Sequence, residues 1–249
     1  MATVGELSAR YANFLVHPPL PGPGVCEVCR GSANPPYLVC WQCHQARRIL
    51  GHRVADAVVP ISLALKGEQY ANELWRYKNT PGPQQQHFRM GLAAVLWHFL
   101  FVHEFCIAAT CAVSGFDLVT TVPSTSGRAD HPLRAMVAET IGTTRDRHRD
   151  LLTPAPGAQS LGRAASTARY TASTLRGERV LLIDDTWTSG GHLQSAAAAL
   201  KTAGADTVAA VVLGRHLNIT YGDTAALVRQ ARLRRFSWEA CALQTSRHA

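Results

Sequence analysis

Continuous apolar runs alternate with amphipathic stretches along this chain, and the alternation predicts its elements. Val54 to Leu65 (VADAVVPISLAL) is apolar and β-branched and reads as a strand interrupted by Pro60. Phe116 to Val122 (FDLVTTV), Arg179 to Ile183 (RVLLI) and Thr207 to Leu213 (TVAAVVL) read as further strands, the last two buried on both faces. Leu151 to Pro154 suits a short strand. Helical stretches are predicted over 5–14, 67–77, 85–113, 131–141 with Pro132 in its first turn, 189–203, and a basic 223–235. Breakers separate them: HPPLPGPG after the first helix, NTPGP at 79–83, and Gly204. No internal repeat is visible. Strands alternating with helices, and strands apolar throughout, imply an α/β fold with a parallel sheet flanked by helices.

One stretch, Gly91 to Val113, is long enough to span a bilayer. It carries His98, His103 and Glu104 near its middle, and an ionised Glu at mid-bilayer costs a few kcal/mol. The segment therefore reads as the buried helix of a globular core, and no membrane span is expected.

Composition narrows the picture. The chain has 249 residues, 47% of them hydrophobic, which excludes a disordered polar chain and permits a real core. Its 25 Lys+Arg exceed its 17 Asp+Glu, and the net charge of +8 points to anionic partners such as phosphates, nucleic acid or anionic lipid. The seven cysteines are odd in number, which argues against a fully paired disulfide framework. The N-terminus lacks a basic region followed by an apolar run, so a cytoplasmic location is expected.

Four of the cysteines form two knuckles, Cys26-x-x-Cys29 and Cys40-x-x-Cys43, ten residues apart. Such spacing lets two thiolates on one tight turn aim at a common centre, and a second turn completes a tetrahedron of sulfurs around Zn2+. Four thiolates leave no open position, so the site is expected to be structural. The expected organisation is an N-terminal segment over 1–50 with a zinc ribbon at 24–47, followed by an α/β domain over 51–249. Cys106, Cys111 and Cys241 read as ordinary small residues.

The most informative stretch is Val180 to His192, VLLIDDTWTSGGH. An apolar strand runs into two adjacent carboxylates, then a hydroxyl- and glycine-rich loop, then a helix. Ligands bind at the carboxyl edge of parallel sheets. A loop of this kind opening a helix offers backbone N–H groups to an anion, and Gly190 and Gly191 permit close approach. Carboxylates beside a phosphate site suit ribose hydroxyls, or a metal that bridges to them. Neither the P-loop pattern nor GxGxxG is present.

The stretch IDDTWTSGG resembles the phosphoribosyl-pyrophosphate (PRPP) signature of type I phosphoribosyltransferases, and with the four-cysteine segment the chain resembles the ComF family. LWRYKN (74–79), VTTVPSTSGR (119–128) and SLGRAASTARY (160–170) are similar to further segments of that family. The resemblance implies a type I phosphoribosyltransferase-like sheet and a cleft for PRPP with Mg2+. It places Asp184 and Asp185 on the ribose hydroxyls, and Thr186, Thr188, Ser189, Gly190 and Gly191 around the 5-phosphate. It places Ser124, Thr125 and Arg128 in the loop facing pyrophosphate, with Arg128 a charge partner, and Arg76 and Lys78 within reach of pyrophosphate. Asp184, Asp185 and Arg128 are the catalytic candidates. Departures from the family pattern are Trp187 in place of a small residue, His192 in place of Thr, Tyr170 in place of Asn, and a loop STSGRADHPLR that lacks an RGFNQ-like ending.

The implied activity is transfer of a phosphoribosyl group to a nitrogenous acceptor, and no clear general base stands out. Asp146, His148 and His131 read as solvated polar residues, and 142–149 or 155–165 as candidate closing loops. The alternative is a non-catalytic accessory protein of DNA uptake or single-stranded DNA handling that retains a nucleotide pocket. Arg229, Arg232, Arg234 and Arg235, followed by Phe236 and Trp238, would then contact single strands, as would Tyr37 and Trp41 of the ribbon, which could equally pack on the core.

Overall fold

The computed structural model describes residues 3–126 and 131–243. In chain order the elements are α1 (Val4–Ala12), α2 (Trp41–Leu50), β1 (Ala57–Leu65), α3 (Gln69–Asn79), α4 (Pro83–Thr110), β2 (Leu118–Thr121) and α5 (Pro132–Ala135), which a π-helical turn over Met136–Thr140 continues. Then come α6 (Gly142–Arg145), β3 (Leu152–Pro154), β4 (Tyr170–Ala172), β5 (Arg179–Trp187), α7 (Gly191–Thr202), β6 (Thr207–Leu217) and α8 (Thr224–Ala231).

The four long apolar runs build one parallel sheet in the order β1-β6-β5-β2. Side chains alternate between its faces with period two. Leu181 and Ile183 of β5, with Ala209, Val211 and Leu213 of β6, pack with α3 and α4. Val180 and Leu182, with Val208, Ala210 and Val212, pack with α7 and the cysteine segment. Because both faces are covered, these strands read as unbroken apolar runs. Pro60 lies in β1 at the edge of the sheet, where a missing N–H is tolerated. Farther along that edge the N-terminal segment takes up the exposed backbone: Leu63 N donates to Val16 O at 2.8 Å, and the Ser62 hydroxyl bonds both Val16 N and Val16 O.

The long helix α4 starts at Pro83 and sets Leu92, Val95, Leu96, Phe99, Leu100 and Ile107 at the centre of the core. By length and composition it is apolar enough to cross a membrane, yet much of its surface is buried inside the fold. At Gly91 it meets Tyr11 of α1 so closely that a Cβ would lie 2.2 Å from the tyrosine oxygen. β3 and β4 form a separate antiparallel pair. Cys26, Cys29 and Cys43 share an apolar cluster with Val58, Leu193 and Ala196, so the cysteine segment is packed against the sheet layer.

Three elements differ from the sequence expectation. β5 does not stop at Ile183; Asp184 and Thr186 keep their ladder positions opposite Val212 and Gly214 of β6. β6 likewise extends to Leu217, opposite Leu65 of β1. The basic helix ends at Ala231, the last of the residues Leu227, Val228 and Ala231 that it buries; Leu233 is exposed, and Arg232, Arg234 and Arg235 lie beyond the helix.

Candidate functional site

The acidic pair sits in the carboxyl half of β5, an inner strand of the sheet. Asp185 is buried and already occupied: it accepts a hydrogen bond from the Tyr77 hydroxyl and another from Lys78 Nζ at 2.6 Å. Asp184 is half-buried, and its Oδ1 accepts from the Asp185 backbone N–H at 2.9 Å. Burial pushes the Asp184 carboxyl up to about 8, and the neighbouring Asp185 charge adds to this against the opposing pull of Lys78. Burial also raises Asp185, but the Lys78 ammonium and the Tyr77 hydroxyl outweigh it and hold that carboxyl below its ordinary value. Asp184 is therefore the weaker acid of the pair, and its oxygens are the less engaged of the two carboxyls.

The loop that follows is glycine-dependent for steric reasons. Gly190 has φ +79° and caps α7, and a Cβ there would lie 2.1 Å from the Trp187 indole. A Cβ on Gly191 would lie 2.1 Å from the Arg163 carbonyl oxygen, to which the Ser189 hydroxyl donates at 2.8 Å. The loop is thus clamped between an indole and the 158–164 segment, at the start of a three-turn helix whose N-terminus favours an anion.

A cleft of about 450 Å³ opens at this edge. Asp184, Asp185, Thr186, Thr188, Ser189, Gly190 and Gly191 form one wall, Ser124 and Thr125 after β2 a second. Lys78 comes from α3, whose residues Ala71, Leu74, Trp75 and Lys78 line the cleft at helical i, i+3, i+4, i+7 spacing. Arg76 lies off that stripe; it is exposed, with its guanidinium 5.9 Å from the Phe88 ring centroid. Arg128 falls outside the described residues.

The cleft also draws in residues that the sequence did not single out for it, namely Arg163, His131, His192, His216 and the exposed Trp75. Arg169 plays a part that composition does not reveal. Wholly buried, it donates to the carbonyls of Ala158, Leu161, Gly162 and Ala164 at 3.2, 3.3, 3.0 and 2.7 Å, and so ties the segment that carries Arg163. Its Nη1 also donates to His192 Nε2 at 3.3 Å, and burial together with that guanidinium lowers the His192 pKa, keeping the ring neutral. Tyr170 donates to Pro123 O at 3.1 Å and lies 3.2 Å from His192 Nδ1, which bridges the two cleft walls.

The four cysteines converge. Cys26 and Cys29 lie on a tight turn closed by Cys26 N donating to Gly31 O at 2.8 Å. The second pair is not a turn: Cys40 caps α2 and Cys43 lies in its first turn, because WQCHQARRIL continues as helix. All four Sγ atoms fall within 4.8 Å of one another, and Cys29 and Cys40 are 3.8 Å apart. Metal–sulfur bonds of about 2.3 Å in a tetrahedron set sulfurs about 3.8 Å apart, so the group fits a structural zinc. Cys106, Cys111 and Cys241 lie outside this group.

Of the aromatic residues beside basic ones, Tyr37 and Trp41 are each 69% exposed on the cysteine segment. Those after α8 are engaged: Phe236 stacks on His17 at 4.5 Å and Trp238 on His98 at 4.3 Å. Arg232 is held by Glu68 at 2.6 Å.

No protein-family model matches the chain, and no curated protein is similar to it in sequence.

Proposed function

We propose that the cleft binds PRPP, in the manner of the type I phosphoribosyltransferases and of the ComF family that the sequence resembles. The observation that carries this reading is the placement of Asp184, Asp185 and the Thr186–Gly191 loop in one cleft with Ser124, Thr125 and Lys78. The Thr186–Gly191 loop and the α7 N-terminus suit a 5-phosphate, and the two carboxyls suit the vicinal hydroxyls of a ribose. Asp184, whose oxygens are less engaged than those of Asp185, is the oxygen donor that fits Mg2+, a hard cation. Bound with PRPP, the cation would neutralise phosphate charge.

In transfer, the bond from C1 of the ribose to pyrophosphate breaks as a nitrogen nucleophile attacks C1. The chain's contribution is electrostatic and positional. Lys78, once released from Asp185, and Arg163 are the cations on hand for the leaving pyrophosphate. Leu74 and Trp75 line the α3 side of the cleft. His192, kept neutral, holds the loop in shape through Arg169 and Tyr170. A screen of nitrogenous bases for pyrophosphate release from PRPP tests transfer. Release with any base supports an enzyme, whereas binding without release across the screen leaves a ligand-binding protein.

A second reading is favoured by the exposed Tyr37 and Trp41, with Arg47 and Arg48 on the same short segment: contact with single-stranded DNA through the cysteine segment. Trp41→Ala would then weaken single-strand binding about tenfold at fixed salt without changing PRPP affinity, by fluorescence anisotropy.

A further inference from the structure

Two arginines are buried beside the four-cysteine cluster, and among the described residues neither forms an ion pair with a carboxylate, although Glu27 lies near Arg30. Arg30, 6% exposed, donates only to backbone carbonyls, those of Glu27 and Ala242. Arg215, 8% exposed, donates through Nη1 to Trp187 O at 3.1 Å, Thr188 O at 2.9 Å and His216 O at 2.7 Å, and its Nε has no partner. Gly31 lies against that guanidinium; a Cβ there would be 2.5 Å from Nη2 and 3.2 Å from Cζ. Gly31 closes the turn that carries Cys26 and Cys29. Arg215 therefore touches the metal knuckle on one side and the first residues of the cleft loop on the other.

Burying a guanidinium without a counter-charge is costly. A divalent metal held by four thiolates is a dianion, and two buried arginines beside it balance that charge. Arg30 spends its hydrogen bonds on the knuckle and the C-terminal segment, and Arg215 spends its own on the cleft loop.

We propose that Arg215 is a positioning residue that transmits occupancy of the four-cysteine site to the Thr186–Gly191 loop, so that the cleft's affinity for a phosphorylated ligand depends on the structural metal. The ligand half of this statement rests on the PRPP reading above; the loop half does not. With the metal in place, the dianion holds Arg215 inward and the carbonyls of Trp187 and Thr188 are fixed. Without it, Arg215 loses its counter-charge and the loop loses its brace.

The test uses the full chain, zinc-loaded or stripped by a chelator under reducing conditions. It reads amide hydrogen exchange over 186–192 and PRPP–Mg2+ affinity by calorimetry. Stripping is expected to speed exchange over 186–192 and to weaken PRPP binding, each about tenfold, the scale of losing one or two hydrogen bonds. β5 up to Asp185 and β6 keep their protection. In Arg215→Gln both changes are present with zinc bound, and stripping adds less than about twofold. Arg215→Lys, which keeps the charge but cannot fork to several carbonyls, shows intermediate exchange and stays metal-dependent. Zinc-saturated Arg30→Gln leaves the loop as in the wild type. Unchanged exchange on stripping overturns the proposal, as do effects of stripping and Arg215→Gln that multiply, or loss of protection throughout β5 and β6. If the zinc-loaded wild type binds no PRPP, the ligand reading fails while the exchange data still decide the coupling.

Discussion

Asp184 is a residue whose protonation opposes its proposed role. Its pKa is raised in the folded chain, to about 8, by burial and by Asp185. A group with a raised folded pKa contributes stability below its unfolded value, near pH 4, and loses it as pH rises through the folded value. Asp184→Asn is therefore expected to match the wild type at pH 4 and to be more stable at pH 9. The gain is about 1–3 kcal/mol after allowance for partial exposure, read from urea midpoints. The same variant should lose ligand affinity. Equal midpoints at pH 9 would mean that the carboxyl is solvated as an ordinary Asp. Gly191 makes the complementary case. Its Cβ would strike the Arg163 carbonyl, a backbone atom that cannot swing away, so Gly191→Ala should cost about 2 kcal/mol and weaken anion binding. The acidic pair and the glycines were legible in the sequence because VLLIDDTWTSGG concentrates rare residue types in one run. The engagement of Asp185 by Tyr77 and Lys78 was not, since a contact between residues 107 and 108 positions apart leaves no local pattern.

Elements were legible where burial imposes a period. The four long strands follow from two-faced burial of apolar runs, and α3 and α4 from helical spacing. Their ends were less so. β5 runs past its apolar stretch because ladder pairing with β6 holds Asp184 and Thr186 whatever their polarity, and α8 ends where its apolar contacts end, although the arginines continue. The segment 158–164 shows the same limit more sharply. Its small and polar residues suggested a loop that closes, yet a wholly buried Arg169 binds four of its carbonyls. Arg169→Met should release it, at a cost of about 3 kcal/mol in stability. Limited proteolysis should then cut within 158–164 first. An unchanged cleavage pattern would show that the packing of this segment does not need the arginine.

At the scale of the whole molecule, two features of different origin meet at one side of the sheet. The cysteine group packs into the same apolar cluster as α7, the helix whose N-terminus opens on the cleft. The chain is expected to purify with about one zinc per molecule, and Cys29→Ser to fall well below that by elemental analysis; equal metal in both would remove the tetrathiolate site. The charge of +8 is divided. Arg163 and Lys78 face the cleft, Arg30 and Arg215 flank the thiols, and Arg169 is structural. Only part of the excess is left for a long anionic partner. The proposed function requires the cleft to take PRPP through its carboxyl pair. Calorimetric titration of the zinc-loaded chain with PRPP, with and without Mg2+, tests it against the double variant Asp184→Asn, Asp185→Asn. Saturable, Mg2+-dependent binding is expected in the wild type and none in the variant at the same concentrations. Absence of binding in the wild type, or equal binding in a variant that remains folded, would rule out PRPP recognition by Asp184 and Asp185.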